Sequence, residues 1–429
     1  MTEVEKRRVL RRKVFFIHGF DPRDGQRYKD RYSAEAKDQS PYVDYRLAIT
    51  DLPGDQADST WKTAWQKDGW PVTVTEFEAL EWGDLVRAKM RVGVMATLAS
   101  ALRSFWILWR AGVFGALMRL DHFKTIAFLI PYLVICVQIL LAAGIAGAGW
   151  TLVSGLGAPW MAWGAALALF GASFWMVRRT KGFFMTSYSL NLYEFCVGER
   201  GAYTPQTESR IAAFEEKVIA AMGRDYDEVV VIGHSFGANL ALSTVSDVVR
   251  SGTLPRQGPQ LTLVTIGAFL INMTVLPDAW RQRRDMRFLA GQERVAWYDL
   301  SAQADRYIFS LYDPVKASGV APDPQLWPKM IPVRYRHNLR LKTYKTLRRS
   351  FFDTHLQYIQ AFDRPRDYDY FALTAGPTFV RDYFAGRKSE ARGRGQAIGR
   401  YHSTAPDAHG AGRAVDNKSY PSYTPPNPG

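Results

Sequence analysis

Cysteine is close to absent from this chain. Two of its 429 residues are cysteines, Cys136 and Cys196. Cys136 falls in an apolar stretch, so no structural disulfide is expected, which fits a reducing compartment. Neither thiol has ligand company at metal spacing, so no zinc site is expected, and no metal or organic cofactor is called for. Histidine is also scarce, at seven residues. The chain has no P-loop, no Rossmann glycine pattern, no internal repeat and no RNA-binding signature, which removes the usual marks of nucleotide and nucleic-acid binding. The N-terminal apolar run Val14-Phe15-Phe16-Ile17 is too short for the apolar region of a secretion signal, so none is expected.

Charge is missing in one long block. Residues 125–177 contain no acidic or basic side chain. The block is too long for one membrane span and suits two of about 20 residues each, at about 125–149 and 160–177. The break falls at Ser154-Gly155-Leu156-Gly157-Ala158-Pro159. Small residues recur every four positions, at Ala143 and Gly147 and again at Gly164, Ala168 and Ala172, which lets two helices approach closely in lipid. Trp150, Trp160 and Trp163 flank the turn as interfacial aromatics do. Arg119 and Lys124 precede the block, and Arg178, Arg179 and Lys181 follow it. Basic flanks around an uncharged connection put both ends on the cytoplasmic side of the inner or plasma membrane. The alternative is a helical hairpin buried in a soluble core, or one that enters the bilayer without crossing. Before the block, residues 84–121 read as helical, basic and aromatic (Arg87, Arg103, Arg110, Phe105, Trp106, Trp109), suited to a bilayer interface or to a cap over a site.

The rest of the chain is ample for a folded domain. Hydrophobic residues make up 47% and the formal net charge is +14. A basic balance fits nucleic acid, an anionic membrane surface or a solvated tail. The β-branched run Val229-Val230-Val231-Ile232 enters Gly233-His234-Ser235-Phe236-Gly237, and a helical pattern follows from Asn239 to about Arg250. A strand, a Gly-x-Ser-x-Gly turn and a helix form the setting of a nucleophile elbow, with Ser235 exposed at the turn and the Phe236 amide at the helix N-terminus. The plainer reading is a glycine-rich turn whose serine caps a helix. Further strands are expected at 14–17, 72–76, 260–267 and 294–298, with a short one near 45–49. An amphipathic helix over 209–222 serves as crossover. Strands alternating with helices indicate an α/β fold with a mostly parallel sheet.

Three more positions complete a constellation. The first strand ends in His18-Gly19-Phe20, where a second oxyanion amide, that of Phe20, is expected. The loop Asp299-Leu300-Ser301-Ala302-Gln303-Ala304-Asp305 follows a late strand, and Asp305 is the chosen acid, with Asp313 and Asp299 as rivals. For the base, His18 and His234 are in turns, His122 precedes the uncharged block, and His402 and His409 are in the tail. That leaves His337, in a basic stretch, and His355, opening an apolar helix, which is preferred. From about residue 386 the composition turns to Gly, Pro, Ser and Arg and reads as disordered.

Taken in order, His18-Gly19-Phe20, Gly233-His234-Ser235-Phe236-Gly237, Asp305 and His355 resemble the oxyanion loop, nucleophile, acid and base of the α/β-hydrolase superfamily, of the lipase or esterase sort. Within it the chain is similar to bacterial hydrolase-like membrane proteins that carry an apolar hairpin inside the catalytic domain. The resemblance implies a hydrolase domain in two parts, 1–92 and 181–385, separated by a membrane insertion at 93–180 and followed by a tail at 386–429. It implies a mostly parallel sheet with helices on both faces. It also implies ester or thioester cleavage through Ser235, His355 and Asp305, with the Phe20 and Phe236 amides as oxyanion hole, no cofactor, and partners that are a lipid bilayer and an acyl substrate rather than nucleic acid. A hydrolase of soluble esters, or a catalytically silent scaffold of the same fold, would carry the same signals.

Overall fold

The computed structural model describes residues 8–23, 25–52, 59–90, 94–157, 159–178, 181–393 and 395–406. Eight strands form one sheet: β1 Arg11–Ile17, β2 Arg46–Asp51, β3 Thr60–Gln66, β4 Thr73–Ala79, β5 Glu228–His234, β6 Gln260–Ile266, β7 Val295–Ser301 and β8 Lys329–Pro332. Their spatial order is β2-β3-β4-β1-β5-β6-β7-β8. Only β3 runs antiparallel to its neighbours; the pairings from β4 through β8 are all parallel.

Strand β5 lies near the middle and is buried throughout. Its β-branched residues alternate between two cores. Val229 and Val231 face one, and Val230 and Ile232 face the other. Helix α1 (Gly25–Gln39) covers the second face with Tyr28 and Tyr32. The chain then runs through α2 (Gly83–Met90), α3 (Val94–Arg110), α4 (Val113–Leu120), α5 (His122–Gly155), α6 (Pro159–Arg178) and α7 (Lys181–Val197) before α8 (Pro205–Met222) and α9 (Gly237–Arg250). Helix α8 buries Ile211, Phe214, Val218 and Met222 at helical spacing on the first face, beside Leu240, Ala241 and Val245 of α9. A parallel sheet covered on both faces accounts for strands that read as continuous apolar runs. At the bottom of the sheet Arg12 and Glu228 sit opposite each other in register, both fully buried, with Arg12 Nε 2.8 Å from Glu228 Oε2.

The uncharged block forms two helices joined by a short turn. Helix α5 has 34 residues, not the 25 expected, and spans about 50 Å. Its first turns dock on the domain through Thr125, Phe128, Tyr132 and Ile135, three or four apart. The Tyr193 hydroxyl of α7 donates to the Phe128 carbonyl at 3.1 Å. Beyond Ile135 the helix is mostly exposed apart from its contact with α6, where Trp150 meets Trp163 at 5.8 Å. Among the described residues α5 is the one helix long and apolar enough to cross a membrane, and 28% of its most apolar stretch is buried.

Several expectations are corrected. Strands β3 and β8 were not expected. In β3 the core-facing Trp61, Thr63 and Trp65 alternate with Lys62 and Ala64, which gives the segment a polar look. Asp299 lies inside β7, not on the loop after it, because the strand continues to Ser301. Residues 386–406 are not a loose tail: the amides of Glu390, Arg392 and Ile398 bond to the carbonyls of Met330, Leu311 and Ala317, and Ile398 is buried. A proline-poor segment satisfies its backbone on a neighbouring strand, helix end and loop this way without needing a helix of its own. The expected disorder at 407–429 falls outside the described residues.

Candidate active site

Ser235 follows β5 directly and takes a left-handed conformation, with φ of +57°. That costs a non-glycine residue about 1–3 kcal/mol, so the surroundings must enforce it. They do: the Ser235 amide donates to Ile266 of β6 at 2.9 Å, and its carbonyl accepts from Phe269 at 3.1 Å and Ala238 at 3.2 Å. The turn is also too crowded for side chains. A Cβ on Gly233 would lie 2.5 Å from Ala238 Cα and 2.7 Å from Ala241 Cβ. One on Gly237 would strike the carbonyl oxygens of Ile17 and His18, at the end of β1. Gly19 stands against Ser235 itself, where a Cβ would come within 2.9 Å of the serine Cβ. The β5 turn and the β1 turn therefore touch, which brings the two expected oxyanion segments together.

Aromatic packing anchors both segments. The Phe20 ring lies 5.4 Å from Phe195 and 6.2 Å from Trp82, and the Phe236 ring lies 5.3 Å and 5.5 Å from the same pair. Trp82 also donates its indole N–H to the His18 carbonyl at 2.9 Å. Among the described residues neither the Phe20 nor the Phe236 amide donates a hydrogen bond within the fold. Two amides held in place without internal partners are what an oxyanion hole requires.

His355 and Asp305 come together from 50 residues apart, with His355 Nδ1 2.7 Å from Asp305 Oδ2. The Asp305 side chain is fully buried. Its Oδ2 also accepts from the Tyr358 hydroxyl at 3.0 Å, and its Oδ1 accepts from the Tyr307 amide at 2.9 Å. Burial pushes the carboxyl up, but His355, Lys124 and the Tyr307 amide outweigh it and hold it below the usual carboxylate range. His355 sits near the end of the short helix Phe351–Leu356, where it was expected to open one. Ser235, His355, His18, Gly19 and His234 line a single cavity of about 60 Å³. That is well below the several hundred Å³ of an ordinary ligand pocket. A hollow of about 380 Å³ at the β2 edge, with Lys37, Tyr45 and Phe371, carries no histidine and lies apart from these groups.

The rival residues have other tasks. Asp313 caps the helix Pro314–Ala317, accepting from the amides of Val315 and Lys316 at 2.9 and 3.2 Å. His337 is half exposed and faces Asp367 at 3.3 Å. Asp299 accepts from Thr265 Oγ1 at 2.7 Å in the core, and burial pushes its carboxyl up to about 7. The native state thus holds a proton that the unfolded chain releases near pH 4. The stability from this group is full below that pH and is lost as pH rises to about 7. Asp299→Asn keeps the shape without the titration. Denaturant unfolding from pH 4 to 8 is expected to show wild-type stability falling relative to the variant across that window, by an amount on the order of several kcal/mol. A pH-independent difference would contradict the assignment.

Four contributors were not foreseen. Tyr358 and the Tyr307 amide complete the shell around Asp305. His234 Nε2 donates to the His355 carbonyl at 3.0 Å, and burial together with His355 lowers its pKa to about 3, so it is a neutral strut. Lys124, at the base of α5, donates to the Asp305 carbonyl and lies 3.3 Å from the Gln303 carbonyl. Only Lys124 had a signal in the sequence: it is the last charge before the uncharged block. Among the described residues no group of three or more His, Cys, Asp or Glu is placed to hold a metal ion. A buried hydroxyl at a strained turn, an imidazole–carboxylate pair and two unpartnered amides suit nucleophilic acyl transfer. No protein-family model, curated protein or solved structure matches the chain.

Proposed function

We propose that this protein is a serine hydrolase of the α/β-hydrolase type, anchored in a membrane by the α5–α6 hairpin inserted between the two parts of its catalytic domain. The observation that carries the reading is a strained Ser235 turn together with a buried His355–Asp305 couple whose histidine lines the same cavity. His355 accepts the Ser235 proton through its free ring nitrogen while Asp305 holds the other ring N–H and stabilises the imidazolium. The serine oxygen attacks an ester or thioester carbonyl, and the oxyanion forms against the Phe20 and Phe236 amides, each worth roughly 3 kcal/mol. Collapse expels the alcohol or thiol, which takes its proton from His355. Water, activated by the same histidine, then releases the acid.

Exposed Leu133, Leu140, Leu141, Leu152 and Leu167 along the hairpin support the membrane reading, since a soluble fold rarely leaves such a contiguous apolar surface uncovered. From Ile135 to its end α5 runs about 30 Å, the thickness of a bilayer core. The basic flanks favour the cytoplasmic side for the catalytic domain. Exposed Trp106 and Trp109 on α3 suit the headgroup zone. A second reading, a catalytically silent scaffold, draws on the smallness of the cavity.

Turnover of a short-chain chromogenic ester and of vesicle-bound acyl lipids by detergent-solubilised wild type and Ser235→Ala separates the two. The hydrolase reading expects the variant to lose activity by at least about 10³-fold. Equal turnover, or none in folded wild type, would favour the scaffold.

A further inference from the structure

The cavity that holds Ser235 is lined by both apolar and basic side chains. Tyr188, Phe352, Leu356 and Ile359 are apolar members of the lining, with Phe16 and Tyr28. Tyr188 belongs to α7, the helix that leaves the hairpin, and Phe352 packs on it at 6.2 Å. The lining also carries Arg23, Arg27 and Arg31. Arg27 and Arg31 are one turn apart on α1, so both project from one face of that helix. Among the described residues Asp21 is the single carboxylate on the lining, and both its oxygens are taken by Arg23, at 2.8 and 3.1 Å. Among the described residues Arg31 forms no ion pair and no hydrogen bond, although it is partly buried. Its countercharge is the Glu35 carboxylate one turn along α1, whose pKa burial pushes up and Arg31 draws back down from beyond contact distance. His234 adds no charge, because its low pKa keeps it neutral. The cavity lining is therefore net positive beside the candidate nucleophile, in a recess where charges are poorly screened.

We infer that the substrate is an acyl ester or thioester bearing a phosphate close to the scissile bond, with the phosphate held by Arg27 and Arg31 and the acyl chain directed along the Tyr188–Phe352 pair. The inference rests on the serine-hydrolase reading for the chemistry but not for the anion site. Planar guanidinium forks match phosphate oxygens better than any other side chain does. A neutral ester would leave this positive charge partly desolvated and unpaired on closure, whereas a phosphate supplies the partner. Two kinds of molecule carry this chemistry: an anionic phospholipid in the bilayer and a soluble acyl thioester with a phosphorylated carrier, such as acyl coenzyme A.

The test compares dodecyl phosphate with 1-dodecanol as protectors of Ser235 against a fluorophosphonate probe. Both have the same chain and differ in the charge. Wild type is expected to be protected at about tenfold or more lower concentration by the phosphate. In Arg27→Gln/Arg31→Gln the ratio of the two concentrations is expected to fall to near one. The ratio is taken within each protein, so a general loss of reactivity cancels. Equal protection in wild type, or an unchanged ratio in the variant, would overturn the inference. If folded wild type takes no probe, the hydrolase reading fails on its own, and calorimetric titration of Ser235→Ala with dodecyl phosphate decides the anion site. Binding lost in the arginine variant supports it, and no binding overturns it. Turnover of phosphatidylglycerol vesicles against palmitoyl coenzyme A names the source, and cleavage of neither by a protein that cleaves neutral esters counts against the inference.

Discussion

Asp305→Asn is expected to lower the rate of acyl transfer by about 10⁴-fold while leaving the protein folded. The carboxylate accepts three hydrogen bonds at once: from the His355 ring, the Tyr358 hydroxyl and the Tyr307 amide. An asparagine has one oxygen to offer. Kept on the Tyr307 amide, which can only donate, it leaves the amide NH₂ in the place of Oδ2, facing His355 Nδ1 and the Tyr358 hydroxyl. The imidazole is then driven to the tautomer whose other nitrogen carries the proton, and that nitrogen can no longer accept one from Ser235. The imidazolium also loses its countercharge in a fully buried position, where charge is screened least. Pseudo-first-order labelling by a fluorophosphonate, together with a circular dichroism spectrum, checks both halves. A variant that labels within tenfold of wild type would mean that Asp305 is structural.

Arg12→Met is expected to be the most destabilising single change in the sheet. Arg12 donates to Glu228 at 2.8 Å, to the Gly376 carbonyl at 2.8 Å and to the Thr378 carbonyl at 2.6 Å, and it is completely buried. Removing it strands the Glu228 carboxylate with only the Val380 amide at 2.9 Å and a distant Thr262 hydroxyl. Breaking a buried pair from one side costs about 3–5 kcal/mol, whereas replacing both partners by apolar groups is often close to neutral. Arg12→Met/Glu228→Leu should therefore recover a large part of what Arg12→Met loses. Thermal and denaturant midpoints of the detergent-solubilised proteins decide it. A single variant no worse than the double would show that the pair is not energetically coupled.

Much of the candidate site could be read from local pattern because its parts are local. Four β-branched residues before Gly-x-Ser-x-Gly specify both the buried strand and the crowded turn, and Gly233 and Gly237 stand where backbone leaves no room for Cβ. Asp305 and His355 followed from chain order, and Asp313 was separable only once its capping bonds were visible. The supports around them could not be read. Lys124 meets the Asp305 loop from 181 residues away, and nothing in either segment marks the other. The same holds for Arg27 and Arg31, which look like any solvated helix face until the fold sets them at the rim of the Ser235 cavity. Strand β3 was hidden by Lys62 and the threonines, although Trp61 and Trp65 already marked its inward side. Helix α5 exceeds its expected length at both ends, by 122–124 before the uncharged block and by 150–155 toward the turn, and Phe128, Tyr132 and Ile135, as apolar as a lipid-facing stretch, dock on the domain. Composition does not distinguish apolar surface that meets protein from apolar surface that meets lipid.

Lys124, in the first turn of α5, meets the Asp305 loop, and Tyr188 of α7, the helix after the hairpin, lines the Ser235 cavity.

The most direct measurement is the mass of the Ser235 peptide after reaction of the detergent-solubilised protein with a fluorophosphonate. The serine-hydrolase account predicts one adduct per chain, on Ser235, absent from Ser235→Ala and strongly slowed in Asp305→Asn. A folded wild-type protein that stays unmodified, or carries the adduct on another residue, would contradict it.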